Sequence, residues 1–299
     1  MTSNYKRGKL SRGRLSLFNI INCTMLFIFA LSAIYPFMYI LTISLLPLED
    51  YLKGGPFLFP KNVSFEAYKQ IFTNGSIFVS FRSSVIITVF GTAVNMFLTT
   101  LCAYGLSKTK LKGYKIFINM IVFTMYFQGG LIPSYMLMRS LKLIDSYWAV
   151  ILTGGISTYN MLVMRSFFLN IPSSLEEAAI IDGATEPYVL FKIILPISLP
   201  VLATISLFYA VGHWNAYFTP MIYLNTRKKW PLQVILREIL FETTESMRIA
   251  GETNELMKSP IGPQLKMATV IVTVIPISIV YPFLQKYFVK GVLIGAIKA

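Results

Sequence analysis

Charged residues, and acids above all, are scarce in this 299-residue chain. Asp, Glu, Lys and Arg make up 13% of it, about half the share that is usual in soluble domains. The chain has two cysteines and one histidine, which excludes a disulfide-rich scaffold and a metal-ligand cluster. A soluble nucleic-acid binder is excluded as well, because the basic residues lie between long uncharged stretches rather than on one polar face.

Six stretches without a charged residue make up about half of the chain. They cover 15–48, 83–107, 116–138, 146–164, 193–226 and 267–285. A helix of roughly 20 apolar residues crosses ~30 Å of hydrocarbon, and each stretch has at least 19 residues. Barrel strands are only ~10 residues long and alternate in polarity. We therefore predict an all-α membrane protein with six transmembrane helices, at about 17–45, 77–106, 116–138, 147–168, 197–224 and 267–288.

Glycine pairs and prolines interrupt several of the predicted spans. Along the chain they are Pro36, Gly129, Gly130, Gly154, Gly155, Pro196, Pro200, Pro220, Pro276 and Pro282. Backbone breaks at membrane depth are tolerated where neighbouring helices or a water-filled cavity satisfy the freed polar groups. The pattern is compatible with a transport path, and also with ordinary helix packing.

Basic residues predict which ends of the spans face the cytoplasm. The tail 1–14 holds five Lys or Arg and the loop 108–115 holds four Lys, with no acid in either. By the positive-inside rule both are cytoplasmic. Alternation then places the loop 225–266 outside and both termini inside, including the tail 291–299. The first apolar run is too long for the core of a signal peptide, so we expect it to be retained.

Two segments outside the predicted spans have helical periodicity. In 64–72 and in 232–247, apolar residues recur on one helical face. Each pattern predicts an amphipathic helix on the outer face. Such a helix lies on the membrane or against a partner, or it caps its own bundle, and the sequence leaves both alternatives open.

The segment between the fourth and fifth spans has the pattern of two short helices joined by a turn. Ser174, with Glu177 three residues later, is a capping box for the first helix. Gly183 fits its C-terminus, Pro187 fits the first turn of the second helix, and Pro196 is expected to end it. A capped loop with small residues on its surface can serve as a rigid docking element.

This loop, 169–196, carries a motif that resembles the coupling-loop signature of ATP-binding-cassette (ABC) importer permeases. Within the loop, its matching positions are Glu177, Ala178, Ala179, Asp182, Gly183, Ala184, Phe191, Ile193, Leu195 and Pro196, and Pro200 matches just beyond it. The segments 57–68, 231–237 and 281–298 resemble the carbohydrate-uptake branch of these permeases. That branch includes the smaller maltose permease subunit and the complex-oligosaccharide permeases of Gram-positive bacteria. The resemblance covers most of the chain and implies the type I importer permease fold.

The resemblance also implies a set of partners. Such permeases pair with a second, homologous permease and bind two ATPase subunits. They receive an oligosaccharide from an extracellular binding protein, a lipoprotein in Gram-positive bacteria. ATPase coupling is assigned by the resemblance to Glu177, Ala178, Ala179, Asp182, Gly183, Ala184, Leu195 and Pro196.

No chemistry is expected from the chain itself. It lacks the G-x-x-x-x-G-K-[ST] loop that cradles nucleotide phosphates, so ATP and Mg²⁺ are expected on the ATPase partners. We expect no catalytic residue, cofactor or metal on this chain. We expect it in the lipid of a bacterial cell membrane. The resemblance to the complex-oligosaccharide permeases implies a Gram-positive bacterium.

The predicted spans contain aromatic and amide side chains that suit a sugar path. Oligosaccharide sites combine aromatic faces with amide and hydroxyl groups, and polar groups at membrane depth tend to face a cavity. The candidates are Tyr126, Tyr159, Asn160, His213, Trp214, Asn215 and Tyr217. The alternative is that these residues form hydrogen bonds to neighbouring helices.

Three other functions are weighed against this one. A secondary transporter would use carboxylates inside its spans, and none of the six uncharged stretches contains one. A membrane enzyme such as a glycosyltransferase would need a carboxylate pair or a metal site at one bilayer face. An importer of amino acids, polyamines or phosphonates would share the coupling loop, and only the carbohydrate-like segments argue against it.

Overall fold

The computed structural model of the protein describes residues 17–55, 59–60, 62–73, 75–249 and 262–296. All regular secondary structure within these ranges is helical. The α-helices are α1 Leu17–Leu45, α2 Leu48–Leu52, α3 Glu66–Thr73, α4 Ser76–Ser107, α5 Tyr114–Tyr126, α6 Leu131–Ser140, α7 Tyr147–Thr153, α8 Thr158–Leu169, α9 Ser173–Ile181, α10 Glu186–Val189, α11 Leu195–Ile197, α12 Leu199–Asn215, α13 Phe218–Tyr223, α14 Leu232–Ile249 and α15 Gly262–Ala296. The predicted tail 1–14 lies outside the described residues, as do parts of 57–68, 225–266 and 281–298.

Three helices are long and apolar enough to cross a membrane without a break: α1, α4 and α15. Pro36 lies inside α1, and Pro276 and Pro282 lie inside α15, yet both helices are continuous. α1 packs chiefly against α15. Its buried residues are confined to Thr42, Ile43 and Ser44, and most of its large apolar side chains are exposed. Such a surface is suited to lipid rather than to water.

The third, fourth and fifth predicted spans are broken rather than continuous. α5 meets α6 at an angle of 114°, and the segment that ends with α11 meets α12 at 86°. Residues 154–157 separate α7 from α8. If each bent pair counts as one span, the described residues hold up to five candidate spans, and the six-span count stays a prediction. Gly130 lies at the α5–α6 break with a φ of +82°, which glycine adopts without strain.

α4 is the central helix of the bundle, packed against α12, α8 and α7. A stripe of small polar residues along it is buried: Ser80, Ser83, Ser84, Asn95, Thr99 and Thr100. Buried polar groups in a membrane protein need partners inside the protein. Ser83 Oγ lies 2.9 Å from the Tyr147 hydroxyl, and Ser84 Oγ accepts a 2.8 Å hydrogen bond from the Leu232 amide. Hydrogen bonds thus join α4 to α7 and to α14.

The two amphipathic segments form α3 and α14, and both cap the bundle. Ala67 and Ile71 of α3 are buried in one cluster with Leu232 and Ile235 of α14 and Ala268 of α15. These residues are therefore covered by this chain's own helices, whereas Phe65 and Phe72 of the first segment are exposed. The alternative in which these faces lie on the membrane is wrong for the buried residues named here.

Candidate functional site

The first helix of the candidate coupling loop, α9, begins at Ser173. Its N-cap residue is Pro172, and no side chain caps the helix. The predicted capping box is therefore wrong, because Ser174 lies inside the first turn instead of preceding it. Glu176 also lies in that turn, where the helix dipole favours a carboxylate.

The turn after α9 depends on Gly183. Its φ is +83°, and its amide donates a 3.0 Å hydrogen bond to the carbonyl of Ile180. The next amide, of Ala184, donates a 2.9 Å hydrogen bond to the carbonyl of Ala179. These bonds satisfy the last carbonyls of the helix. A Cβ at this glycine would meet no atom within 4 Å, so the backbone conformation alone favours glycine.

α9 lies at the surface of the bundle and carries exposed apolar side chains. None of its residues is buried, and Ile181 is 84% exposed. Leu175 and Ile180 are exposed as well. An exposed apolar set of this kind, bordered by acids, is available for contact with another protein or with lipid.

The second half of the loop is anchored in the bundle instead. Val189, Leu190 and Ile194 are buried in a cluster with residues of α4, α8 and α12. A π-helical turn, Leu190–Ile194, leads into α11, and the chain bends after it, at Ser198. The second helix was predicted to end at Pro196, and it ends one residue later, at Ile197.

The predicted coupling residues divide between these two environments. Ala179, Ala184 and Leu195 are partly buried and pack against the bundle cluster. The others are exposed: Glu177, Ala178, Asp182, Gly183 and Pro196. The loop thus presents one set of signature residues to its surroundings and uses the other to hold its position.

Sequence reasoning used Lys108 only as a sign of topology, whereas the structure gives it a specific contact. Lys108 follows the last residue of α4, and its ammonium forms an ion pair with Glu176 of α9. It also lies 3.4 Å from a carboxylate oxygen of Glu186 in α10. Partial burial disfavours the ammonium, but the hydrogen bonds to Glu176 and to the Tyr104 hydroxyl outweigh it and raise the pKa of Lys108.

A second cation, Arg165 of α8, joins neighbouring helix ends. Its Nε donates a 2.9 Å hydrogen bond to the carbonyl of Leu106 in α4. Its guanidinium also donates to the hydroxyl of Tyr114, the first residue of α5, and lies over that ring. The end of α4 is thus fixed to α5 and α8 beside the loop.

A cavity of about 820 Å³ lies where the broken spans meet. The ends of α5, α6, α8 and α13 contribute to its wall. Its polar lining is uncharged and consists of Thr124, Gln128, Ser134, Thr153, Ser157, Thr158, Tyr159, Thr219 and Tyr223. Hydroxyl, amide and aromatic groups on an uncharged wall are suited to the hydroxyls and the apolar faces of sugars.

Of the predicted path residues, Tyr159 lines this cavity, and the other six lie elsewhere. Asn160 is buried, Tyr126 is largely exposed, and the ring of Tyr217 faces the Arg237 guanidinium at 5.6 Å. Trp214 Nε1 donates a 3.4 Å hydrogen bond to the carbonyl of Thr273 in α15. Asn215 accepts a 3.4 Å hydrogen bond from Gln233 of α14.

His213 belongs to a polar network that holds the break between α7 and α8. Its Nε2 lies 3.0 Å from Asn95 Oδ1, and the amide nitrogen of Asn95 donates to the carbonyl of Gly154. The Tyr209 hydroxyl accepts a 2.9 Å hydrogen bond from the Ser157 amide and lies 2.7 Å from Thr99 Oγ1. Side chains of α4 and α12 therefore satisfy backbone groups that the break leaves free. For His213 this is the helix-to-helix alternative left open above.

At the other end of the bundle, Asp145 connects two loops. Its carboxylate accepts hydrogen bonds from the amides of Asn225 and Thr226, at 3.0 and 2.9 Å, and pairs with Lys229 at 2.7 Å. Partial burial opposes ionisation, but the bonds from Lys229 and Thr226 outweigh it and hold the pKa of Asp145 well below its usual range.

No candidate metal site is found among the described residues, in which no three His, Cys, Asp or Glu come together.

Residues 114–294 match the family described as "Binding-protein-dependent transport system inner membrane component". The chain belongs to this family. It is a permease subunit of an ABC importer, as the coupling-loop motif predicted. Importers of this class combine permeases with ATPase subunits and a binding protein.

Relatives match the chain over nearly its full length. It is 45% identical to the polygalacturonan/rhamnogalacturonan transport system permease protein YtcP of Bacillus subtilis (strain 168), over 94% of this chain and 98% of YtcP. Protein LplC of the same organism is 41% identical over 92% of this chain and 94% of LplC.

A solved structure shares the fold of this permease. It is described as a bacterial ABC transporter involved in the import of the acidic polysaccharide alginate. One of its chains is 34% identical and superposes with a TM-score of 0.84, covering 96% of this chain and 100% of that chain. The resemblance to ABC importer permeases drawn from the sequence thus agrees with the fold.

Proposed function

We propose that this permease imports an oligosaccharide delivered by an extracellular binding protein, and that it pairs with a second, homologous permease. The names of its relatives support a carbohydrate cargo, because YtcP is named for polygalacturonan and rhamnogalacturonan. Alginate, in the related structure, is an acidic polysaccharide, and polygalacturonan is by its name a polymer of a sugar acid. Oligosaccharides that carry uronate groups are therefore the first cargo to test.

The exposed apolar surface of α9 carries the coupling part of the proposal. We assign it to contact with an ATPase, one of two such subunits, which would bind ATP and Mg²⁺ and do all of the chemistry. A helix whose residues are all accessible, and which ends in a glycine-dependent turn, presents a fixed shape to a partner. The buried segment 189–194 would carry movement of that partner into the bundle, as rigid-body switching requires.

The topology belongs to the same proposal. Six spans with both termini in the cytoplasm would place α9 on the cytoplasmic side, where ATP is available. They would place α3 and α14 on the outer side, facing the binding protein. The host membrane would be that of a bacterium, and the Bacillus relatives favour a Gram-positive one.

We assign the sugar path to the cavity at the broken spans. The break between α5 and α6 frees backbone polar groups, and a water-filled path can satisfy such groups at membrane depth. Tyr159, Gln128 and Ser157 supply an aromatic ring, an amide and a hydroxyl to its wall. The neutral lining suits sugar hydroxyls, whichever charge the rest of the cargo carries.

Gly183→Val tests the coupling assignment. A β-branched residue is strained at a φ of +83°, so the variant should misplace the end of α9. The complete transporter, with its partner permease, ATPases and binding protein, is reconstituted and supplied with galacturonate oligosaccharides. ATP hydrolysis is then measured with and without the loaded binding protein.

We expect Gly183→Val to assemble in the membrane but to lose the stimulation of ATP hydrolysis. Gly105→Ala is the matched control, because Gly105 lies in α4 and a Cβ there meets no atom within 4 Å. The control should keep its stimulation. Normal stimulation in the Gly183 variant would refute the coupling role of this loop.

A further inference from the structure

We propose that Lys108 is a positioning residue that links the coupling helix α9 to the central helix α4, so that movement of the ATPase reaches the bundle through this ion pair. The inference rests on the proposed role of α9 as the ATPase contact. It adds a residue outside the coupling loop that the loop needs in order to transmit movement.

One ammonium group joins three helices at this point. Lys108 lies directly after α4, pairs with Glu176 of α9, and lies 3.4 Å from Glu186 of α10. The Tyr104 hydroxyl, one turn earlier in α4, donates a 2.7 Å hydrogen bond to the same Glu186 oxygen. The Lys108 ammonium also lies over the Tyr104 ring, 4.5 Å from its centre. The two acids are thus held from a single helix end.

The ion pair is well shielded compared with an ordinary surface pair. The side chains of Lys108 and Glu176 are 25% and 23% exposed. Fully exposed pairs contribute little because solvent and salt screen them, whereas a shielded pair that also shares a second acid and an aromatic ring is screened less. Its geometry can therefore fix the direction of α9.

α9 has few other contacts that could do this. None of its residues is buried, and from this helix Ala179 is the side chain that packs against the bundle cluster. An alanine contact resists separation but fixes orientation poorly, since it has no directional bond. The Lys108–Glu176 pair supplies a directional bond. It acts at the first turn of α9, at the opposite end of the helix from Gly183.

The other end of the link is rigid. Arg165 holds the Leu106 carbonyl, two residues before Lys108. Along α4, Asn95 then contacts both His213 and the carbonyl of Gly154, at the α7–α8 break. Movement of α9 therefore has a continuous path of directional contacts to the broken span beside the cavity.

The test measures coupling in the complete transporter rather than stability alone. Lys108→Met removes the charge and keeps much of the side-chain volume. Lys108→Arg keeps the charge, and Lys110→Met is the matched control at an exposed lysine of the same segment. For each variant, the rate of ATP hydrolysis is measured with and without the binding protein loaded with galacturonate oligosaccharides. The ratio of the stimulated rate to the unstimulated rate is the measure of coupling.

We expect this ratio to fall roughly fivefold in Lys108→Met, the lower end of typical coupling between sites, and to recover in Lys108→Arg. Lys110→Met should match the wild type. Adding Glu176→Gln to Lys108→Met should cause little further loss, because both changes break the same pair.

Two results would overturn the inference. One is an unchanged ratio in Lys108→Met, and the other is an additive loss in the double variant. Gly183→Val distinguishes the inference from the function on which it rests. If Gly183→Val uncouples the transporter and Lys108→Met does not, the role of Lys108 is refuted and that of the loop stands. If neither variant uncouples it, the coupling role of α9 fails as well.

Discussion

At the scale of single residues, close packing between α4 and α12 depends on Gly91. A Cβ at this position would lie 2.6 Å from His213 Nε2 and 2.8 Å from its Cε1. Such contacts are far inside van der Waals distance, and the ring is held in place by its contact with Asn95. The glycine is therefore required by its neighbour, not by its backbone conformation.

We predict that Gly91→Ala lowers the stability of the permease by about 1–3 kcal/mol, the usual cost of overpacking. Thermal unfolding of the detergent-solubilised complex measures the change. The double variant Gly91→Ala/His213→Ala removes the clash, so its loss should be smaller than the sum of the two single losses. Additive losses would show that the His213 ring does not limit the space at Gly91.

Asp145 is a second residue whose chemistry gives a pH-dependent prediction. Its φ is +60°, a conformation that Asp and Asn tolerate better than most residues. Asp145→Asn therefore keeps the backbone and removes the charge that Lys229 and the amides of 225–226 stabilise. At neutral pH we expect the variant to be less stable by about 1 kcal/mol or more.

The pH dependence has a definite sign. Because the folded pKa of Asp145 is lowered, its stabilising contribution is fully present above the unfolded pKa, about 4. It is lost as the pH falls below that value towards the folded pKa. Thermal midpoints of wild type and Asp145→Asn should therefore converge below about pH 4. A gap that stays constant as the pH falls would contradict the assigned charge contacts.

At the scale of helices, the uncharged stretches predict where the long helices lie. The predicted spans 17–45 and 77–106 agree with α1 and α4 to within a residue, because the charged or turn-forming residues at their ends limit both the apolar run and the helix. The Gly154-Gly155 pair also indicates a weak point in the fourth span. The side chains that bond to the backbone at this break, Asn95 and Tyr209, are more than 50 residues away in sequence. No local pattern at the break therefore predicts them.

The same limit explains what sequence reasoning missed in the loop. Lys108 and its two acids lie more than 60 residues apart, and a lysine after a span is usual in any cytoplasmic loop. The capping box failed for a local reason, since the N-cap is Pro172, two residues before the predicted cap Ser174. His213, Trp214 and Asn215 have the residue types of a sugar site but form helix-to-helix contacts.

The cavity formed by the broken helices gives a prediction with a matched control. Tyr159 lines the cavity, whereas Tyr126 is 78% exposed and lies outside its wall. Tyr159→Ala should lower the uptake of galacturonate oligosaccharides into cells that carry the full transporter. Tyr126→Ala should leave uptake near that of the wild type. Equal effects, at equal permease levels in the membrane, would exclude this cavity as the sugar path.

At the scale of the whole molecule, the scarcity of charge and the placement of the few acids have separate meanings. The basic excess lies mainly on the side that the positive-inside rule predicts to be cytoplasmic. Four of the 13 acids lie within residues 176–186, and two of these, Glu176 and Glu186, contact Lys108. Next to these ion pairs, α9 carries the exposed apolar side chains of Leu175, Ile180 and Ile181.

Site-specific photo-cross-linking from Ile181 tests most directly whether this region contacts an ATPase. In one variant a photoreactive amino acid replaces Ile181, which lies on α9 and is 84% exposed. In the control variant it replaces Phe78, which lies on α4 and is 74% exposed. In the assembled transporter we predict a covalent adduct with an ATPase subunit from position 181 and none from position 78. An Ile181 probe that labels only lipid, or the partner permease, would contradict the proposed coupling.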